Sequence, residues 1–294
     1  MEALRGSTAS AEFAQWLSRT QSGFCYEEKQ GVGFFTIPMF TQTGRVKHGF
    51  STRIGGISEG CYASLNLSFT RRHSEQETER NFGIASRALG IEPDNLVIVN
   101  GNHGVAVQHV GQHHRGDGLA RAYTDQDAAF DGMITDAKQT ALVTIHADCT
   151  PVFAYDPAHE AIGLCHAGWR GTVNGMIDTL IVQMQQAFHT DPSALLMAIG
   201  PNIGACCFEV DVDVAQAFER AFDQAGCVRA ARKPGKYHVH LAHAAAYQMF
   251  SRGVAPDHVT MAHLCTCCNE TLFHSYRRDG KQGGAMASFL QLNP

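Results

Sequence analysis

Two apolar runs of strand length, 141–145 and 161–165, stand one after the other, and each ends in a polar signature. Runs this short are bounded by turn residues and rich in aliphatic side chains, so they read as strands buried on both faces rather than as helices or membrane spans. The first leads into ADCTP at 147–151 and the second into HAGWRG at 166–171. Cys149 and His166 therefore come from the ends of neighbouring strands, 17 residues apart. Side chains held on such rigid elements suit metal binding or nucleophilic catalysis, which tolerate little misplacement.

Helical periods alternate with these runs. Ser74 and Glu77 make a capping-box pair, and a helix is expected through Phe82, Ala85 and Leu89 to a stop at Gly90. A strand over 95–99 then ends at Asn100-Gly101-Asn102-His103-Gly104, adding His103 as a third strand-end residue. After HAGWRG, the residues Val173, Met176, Ile177, Leu180, Ile181, Met184 and Phe188 follow helical spacing, predicting one helix over 172–188 with its N-terminus near His166. A strand over 195–199, helices over 214–222 and 241–250, and a strand over 259–264 complete the pattern. Residues 1–30 read as an N-terminal extension in which Phe13, Trp16 and Leu17 could line a short helix. From 31 to 294 no linker, repeat or low-complexity stretch interrupts the chain, so one domain mixing helices and strands is expected.

Composition narrows the functional classes. With 44% hydrophobic and 17% charged residues, 294 residues can bury a substantial core. A net charge of −5 and the absence of a long Lys/Arg block argue against nucleic-acid binding and leave a small molecule as partner. No apolar run reaches membrane-spanning length and the N-terminus has no export signature, so the cytoplasm is expected. The ten cysteines then read as reduced thiols.

Two chemistries fit His103, Cys149 and His166. Three His and Cys ligands with a fourth position open to water make a recurrent catalytic zinc site. The same Cys149 could instead be a nucleophile with His103 or His166 as its base. Asp148 could orient a histidine or carry a proton, or be an ordinary exposed turn residue. Strand alternation points Cys165 away from the face used by His166, into the core. Cys206-Cys207 and Cys265-Thr266-Cys267-Cys268 do not show paired C-x2-C motifs and read as packing. Sixteen histidines raise the question of copper, but His238 and His240 form the one His-x-His pair, which does not suit a trinuclear copper centre. Gly55-Gly56 and Gly283-Gly284 suit turns, and Arg53 is a candidate anion contact.

Taken in order, HGFSTRIGG (48–56), SLNL (64–67), NHG (102–104), FDGMIT (130–135), ADCTP, HAGWRG, AIGPNIGACCFEV (198–210) and SYRRDG (275–280) resemble the YfiH-like family. Its members are described as purine nucleoside phosphorylases and, earlier, as multicopper polyphenol oxidases or laccases. The resemblance implies an α+β fold, a single-domain four-layer α-β-β-α sandwich with mixed sheets. It also implies a zinc ion, rather than copper, held by His103, Cys149 and His166. The implied substrates are purine nucleosides and phosphate: phosphorolysis of adenosine, inosine, guanosine and methylthioadenosine, and hydrolytic deamination of adenosine. Arg53 and Arg170 are then candidates for the phosphate charge. This chain departs from the family pattern at Gly101, where glutamine is usual, and at Gly283-Gly284, where Gly-Arg is usual. The usual Glu-Asn-Arg is Arg80-Asn81-Phe82. Competing readings are a copper phenol oxidase, a cysteine hydrolase acting on an amide, and a zinc-binding protein without catalysis. Nothing in the sequence sets the oligomeric state.

Overall fold

The computed structural model describes residues 7–99, 101–124 and 127–294. Residues 1–6 of the expected extension, and Asn100, lie outside the described residues. The first half of the chain runs α1 (Ser7–Arg19), β1 (Cys25–Lys29), β2 (Val32–Thr36), α2 (Pro38–Thr41), β3 (Val46–Ser51), α3 (Glu75–Ala88), β4 (Leu96–Ile98), β5 (Val107–His109), β6 (Gly132–Thr135) and β7 (Ala141–His146). It continues through β8 (Thr150–Asp156), β9 (Ala161–Ala167), α4 (Trp169–Val173), α5 (Met176–Phe188), β10 (Leu196–Ile199), β11 (Glu209–Asp211) and α6 (Val212–Phe222). Then come β12 (Val228–Ala230), β13 (Lys236–Val239), α7 (Leu241–Ser251), β14 (Val259–Met261), α8 (Tyr276–Asp279) and β15 (Met286–Leu292).

Two mixed six-stranded sheets, ordered β1-β2-β3-β15-β7-β4 and β14-β10-β8-β9-β6-β5, carry the fold, with a small β11-β13-β12 sheet beside them. Strand alternation explains the layers. Leu142 and Leu290 of the first sheet meet Phe153, Tyr155 and Leu164 of the second in one buried cluster. Their neighbours Val143 and Phe289 turn outward against Phe82 and Ala85 of α3. Val152, Ala154 and Cys165 turn the other way, against Ile177, Leu180 and Met184 of α5 and Met249 of α7. The result is helix, sheet, sheet, helix, the four-layer mixed α+β arrangement that the resemblance implies. All seven residues of β8, β9 and β15 are buried, as strands covered on both faces require.

Ser74 caps α3 by accepting a hydrogen bond from the Glu77 N–H at 3.1 Å. The Glu77 carboxylate, however, turns to the Ser58 hydroxyl at 2.6 Å. Three expectations are corrected. The stretch before residue 31 is not set apart: β1 pairs with β2, and Phe13 is buried with its ring 5.5 Å from that of Tyr247. Apolar surface on α1 finds its partner more than 200 residues away, which local patterns do not reveal. The helix over 172–188 is two helices, broken where Gly175 takes φ +87°. Periodicity survives that break because residues on both sides pack into the same layer. The last strand before the Cys265 segment ends at Met261, not at 264. Among the described residues no helix is long and apolar enough to cross a membrane.

Two crossings between the sheets position the site. The chain leaves β4 of the first sheet for β5 of the second through a loop carrying His103, and leaves β7 for β8 through the turn carrying Asp148 and Cys149. His166 stands on β9 opposite Pro151, one rung from the start of β8.

Candidate functional site

His103, Cys149 and His166 meet: the Cys149 sulfur and a nitrogen of each imidazole lie within 4.8 Å of one another. The two imidazole rings stand edge to face, 5.0 Å between centroids. Antiparallel pairing of β8 with β9 supplies two of these side chains, and the third comes from the first crossing loop. His103 takes φ +65°, a backbone conformation that needs support in a residue other than glycine.

Asp131, just before β6, gives that support. Its carboxylate accepts hydrogen bonds from the backbone N–H groups of Asn102 (3.1 Å), His103 (3.2 Å) and Gly104 (2.7 Å). The same carboxylate lies 2.9 Å from His166 Nδ1, so one buried side chain orients both histidines. Burial alone would raise the Asp131 pKa, but His166 and the Gly104 and Asn102 amides outweigh it and keep the carboxylate ionised.

Charge flows through this arrangement. Burial would push the Cys149 thiol up, yet the His166 charge and hydrogen bonds from His103 and His166 bring it down to about 6. Burial would lower His166, but the Cys149 thiolate and Asp131 raise it to about 10. Each group thus favours the charged form of the other, in a donor set of one sulfur and two nitrogens that an incoming cation can use by displacing protons. That set fits a borderline-soft ion such as zinc.

Glycines let the backbone close around the three side chains. A Cβ on Gly168 would lie 2.8 Å from His103 Cδ2 and 3.4 Å from Cys149 Sγ. A Cβ on Gly101 would lie 2.6 Å from Asp131 Oδ1, so this backbone has no room for the family's usual glutamine. On Gly284 it would meet Asn66 Oδ1 at 2.5 Å, so Gly284 is a point of close approach rather than a turn residue.

Asp148 hydrogen-bonds to Thr266, Ser275 and Arg277 rather than to a histidine, and it is not exposed. It is buried, with φ +91°, and accepts from Thr266 Oγ1 (2.6 Å), Ser275 Oγ (3.0 Å) and the Arg277 N–H (2.7 Å). It therefore pins the segment after β14 to the Cys149 turn. Two contributors escaped the sequence reading. Asp131 lies inside the quoted FDGMIT motif but shows no local sign of its partners, which are 27 or more residues away. His146 ends the apolar run of β7, and its Nδ1 lies 3.2 Å from the Cys149 carbonyl oxygen. Burial and the nearby His166 charge hold His146 neutral, well below the usual histidine range.

A cavity of about 880 Å³ opens over the three side chains. Its wall includes Arg71, Arg72 and Arg277, together with Tyr123, Phe208 and Tyr276. Arg53 and Arg170 do not line it. The Arg53 guanidinium donates to the carbonyls of Ala63 (2.8 Å) and Glu270 (3.1 Å), and exposed Arg170 lies over the Trp169 ring at 4.3 Å. Arg71 Nη1 instead donates to the Gly283 carbonyl at 2.9 Å, which brings a guanidinium to the segment where the family's usual arginine is missing.

Cys165 is fully buried in the outer cluster, and its thiol is pushed up by burial, as a core residue's should be. Of four other cysteines, Cys207 and Cys265 pack against the outer cluster as expected, whereas Cys206 and Cys268 are exposed. The sulfurs of Cys206, Cys207, Cys265 and Cys268 converge within 4.8 Å. Cys265 and Cys268 are one C-x2-C pair, and adjacent Cys206-Cys207 supply the other half through tertiary contact.

The profile of the family described as multi-copper polyphenol oxidoreductase laccase matches residues 47–293. The chain belongs to this family. It is 32% identical over 243 residues to purine nucleoside phosphorylase YlmD of Geobacillus stearothermophilus, covering 82% of this chain and 88% of that one. It is 30% identical over 272 residues to a purine nucleoside phosphorylase of Bacteroides thetaiotaomicron, covering 91% and 98%. Among solved structures, YlmD of Geobacillus stearothermophilus superposes with a TM-score of 0.83 at 30% identity, over 93% of this chain and all of that one. The hypothetical protein YfiH of Bacillus licheniformis does so with a TM-score of 0.83 at 29% identity, over 91% and 99%.

Proposed function

We propose that this chain is a zinc-dependent purine nucleoside phosphorylase that also deaminates adenosine. The observation that carries this reading is the meeting of His103, Cys149 and His166 beneath a cavity walled by three arginines and by aromatic rings. The relatives named as purine nucleoside phosphorylases support the substrate class. A zinc ion bound by the three side chains supplies a Lewis acid.

The chain's own residues do the rest. Asp131 holds His166 through Nδ1 and His103 through its backbone, so the donors are ordered before substrate arrives. Arg71, Arg72 and Arg277 offer cationic hydrogen-bond donors to phosphate, in place of the expected Arg53 and Arg170. Tyr123, Phe208 and Tyr276 offer faces against which a purine can stack. In phosphorolysis, phosphate replaces the base at C1′ of the ribose. In deamination, water replaces the amino group at C6 and ammonia leaves. Ten free cysteines suit the reducing cytoplasm.

Copper-based phenol oxidation has less support. Among the described residues the groups of three or more convergent donors are this triad and the four-cysteine cluster, and a trinuclear copper centre needs more imidazoles than the triad offers. The deciding experiment incubates the protein with adenosine, inosine, guanosine and methylthioadenosine, with and without phosphate, and separates the products. Phosphate-dependent release of free base and phosphate-independent conversion of adenosine to inosine are expected, both lost in Cys149→Ala. Full activity in Cys149→Ala, or oxygen uptake on a phenol without nucleoside turnover, would sink the proposal.

A further inference from the structure

The loops leaving β10 and β14, two parallel neighbours, stay together beyond the strands. Asn202 and Cys265 form a bridge, and the Thr266 N–H donates to the Asn202 carbonyl at 3.1 Å. These contacts bring Cys206 and Cys207 from one loop to Cys265 and Cys268 from the other. The Cys268 sulfur lies 3.5 Å from that of Cys206 and 3.3 Å from that of Cys207, and all four sulfurs lie within 4.8 Å. A tetrahedron of thiolates around zinc, with Zn–S of about 2.3 Å, separates its sulfurs by about 3.8 Å. The two separations from Cys268 fall a few tenths of an ångström short of that value. They are far from the roughly 2.05 Å of a disulfide.

Packing alone does not explain the cluster. A cysteine used as a small hydrophobe sits inside, as Cys165 does, whereas Cys206 and Cys268 are exposed. Cys207 and Cys265 are half-buried against the outer cluster, but Cys206 and Cys268 gain little from burial, and all four sulfurs converge on one point. The surroundings suit an anionic site as well. The Gly204 N–H donates to the Cys265 sulfur at 3.2 Å, as amides around metal thiolates do. Arg277 Nη1 donates to the carbonyls of Cys207 (3.0 Å) and Glu209 (2.9 Å), and Arg278 Nη1 to the carbonyl of Cys267 (3.0 Å). Four thiolates around a divalent cation carry a net charge of −2, and these two guanidinium groups stand against the loops that bear it.

We infer that Cys206, Cys207, Cys265 and Cys268 form a second metal site, a closed four-thiolate site for zinc. Each thiol gives up its proton as the ion binds, and the four sulfurs fill the coordination sphere, so the site is structural. It clips together two loops that wall the cavity: Phe208 follows the first cysteine pair, and Arg277 reaches back to the Cys207 carbonyl. Thr266, between the two ligands of the second loop, bonds Asp148, the neighbour of Cys149. The clip therefore holds one wall of the cavity against the turn that carries Cys149.

Metal content of the full chain, purified under reducing conditions, tests this. Wild type should hold one equivalent of zinc more than Cys265→Ser/Cys268→Ser, while Cys267→Ser, altered on the same turn outside the cluster, keeps the wild-type amount. That difference is independent of the triad, whose own metal is read by comparing wild type with His103→Ala/Cys149→Ala. Should the serine variant fail to fold, wild type alone decides: with zinc bound, a strong chelator should release five thiols to a thiol reagent, the four of the cluster and Cys149, rather than Cys149 alone, while buried Cys165 and Cys227 stay slow throughout. Cobalt loaded into His103→Ala/Cys149→Ala should show the intense charge-transfer absorption of a four-thiolate site. Equal zinc in wild type and the serine variant, thiol reactivity indifferent to chelator, or a disulfide among these four cysteines in the reduced preparation would overturn the inference.

Discussion

The two groups of soft donors differ in number, backing and exposure. Three side chains from separate elements meet beside the cavity, with the buried Asp131 carboxylate behind them. Four sulfurs from two loops meet near the surface, with a backbone amide and arginine-bound carbonyls around them. Three donors leave a coordination position for chemistry, whereas four close the sphere and leave only a structural role. Nearness of donors is common to both, and what distinguishes them is the unfilled position and the cavity above it.

The most severe way to break this contrast is Cys149→Ala. Nucleoside turnover should fall by more than about 100-fold, beyond the usual cost of removing a residue that merely orients a ligand, with zinc reduced by one equivalent and not two. Loss of both equivalents would mean that the two regions are one folding unit rather than two sites. Asp131→Asn comes next. The side chain keeps its shape but loses the charge facing His166 and three amides, so metal affinity at the triad and kcat should each fall by about 10- to 100-fold. Competition titration reads the first and steady-state kinetics the second, while the four-cysteine site should hold its ion unchanged.

A titration belonging to neither region gives the baseline. His48 is buried, accepts the Ile37 N–H at 2.9 Å, and is lowered to about 4 by burial. Its unfolded counterpart titrates near 6.5, so the unfolded chain binds the extra proton first and stability is complete above pH 6.5 and lost as pH falls toward 4. For His48 alone the loss from pH 7.5 to 5 is about 2 kcal/mol, and His48→Asn should flatten the fall in melting temperature of metal-free protein over that range. The smallest effect is expected from Gly168→Ala. Its Cβ would press on His103 Cδ2 at 2.8 Å, so His103 must move, weakening metal binding at the triad by about tenfold with about 1 kcal/mol of stability lost. An unaltered triad affinity would show that the three donors tolerate displacement, against the contrast drawn above.

Much of the fold was legible because it rests on local periodicity. The Ser74 cap, the buried runs that became β7 and β9, and the helical spacing after HAGWRG are each written within a dozen or so residues. Where the sequence reading went astray, the deciding contact was distant. Phe13 finds Tyr247, Asp148 finds Thr266 and Ser275, and Arg71 replaces Arg53 in the cavity wall because their partners lie across the fold. The site divided the same way. His103, Cys149 and His166 could be named because each follows an apolar run, the two histidines with glycine close by, but Asp131 carries no mark of the two histidines it orients.

By itself the sequence determined the alternation of buried strands and amphipathic helices, and the chemical identity of the donors at the strand ends, since both depend on side-chain type and spacing along the chain. Tertiary structure alone decided which donors share a point in space. The four cysteines illustrate this: spacing made them core thiols, and the parallel pairing of β10 with β14 made them neighbours. Convergence depends on how strands 62 residues apart are ordered in a sheet, and that order is set by the packing of whole layers rather than by any local pattern.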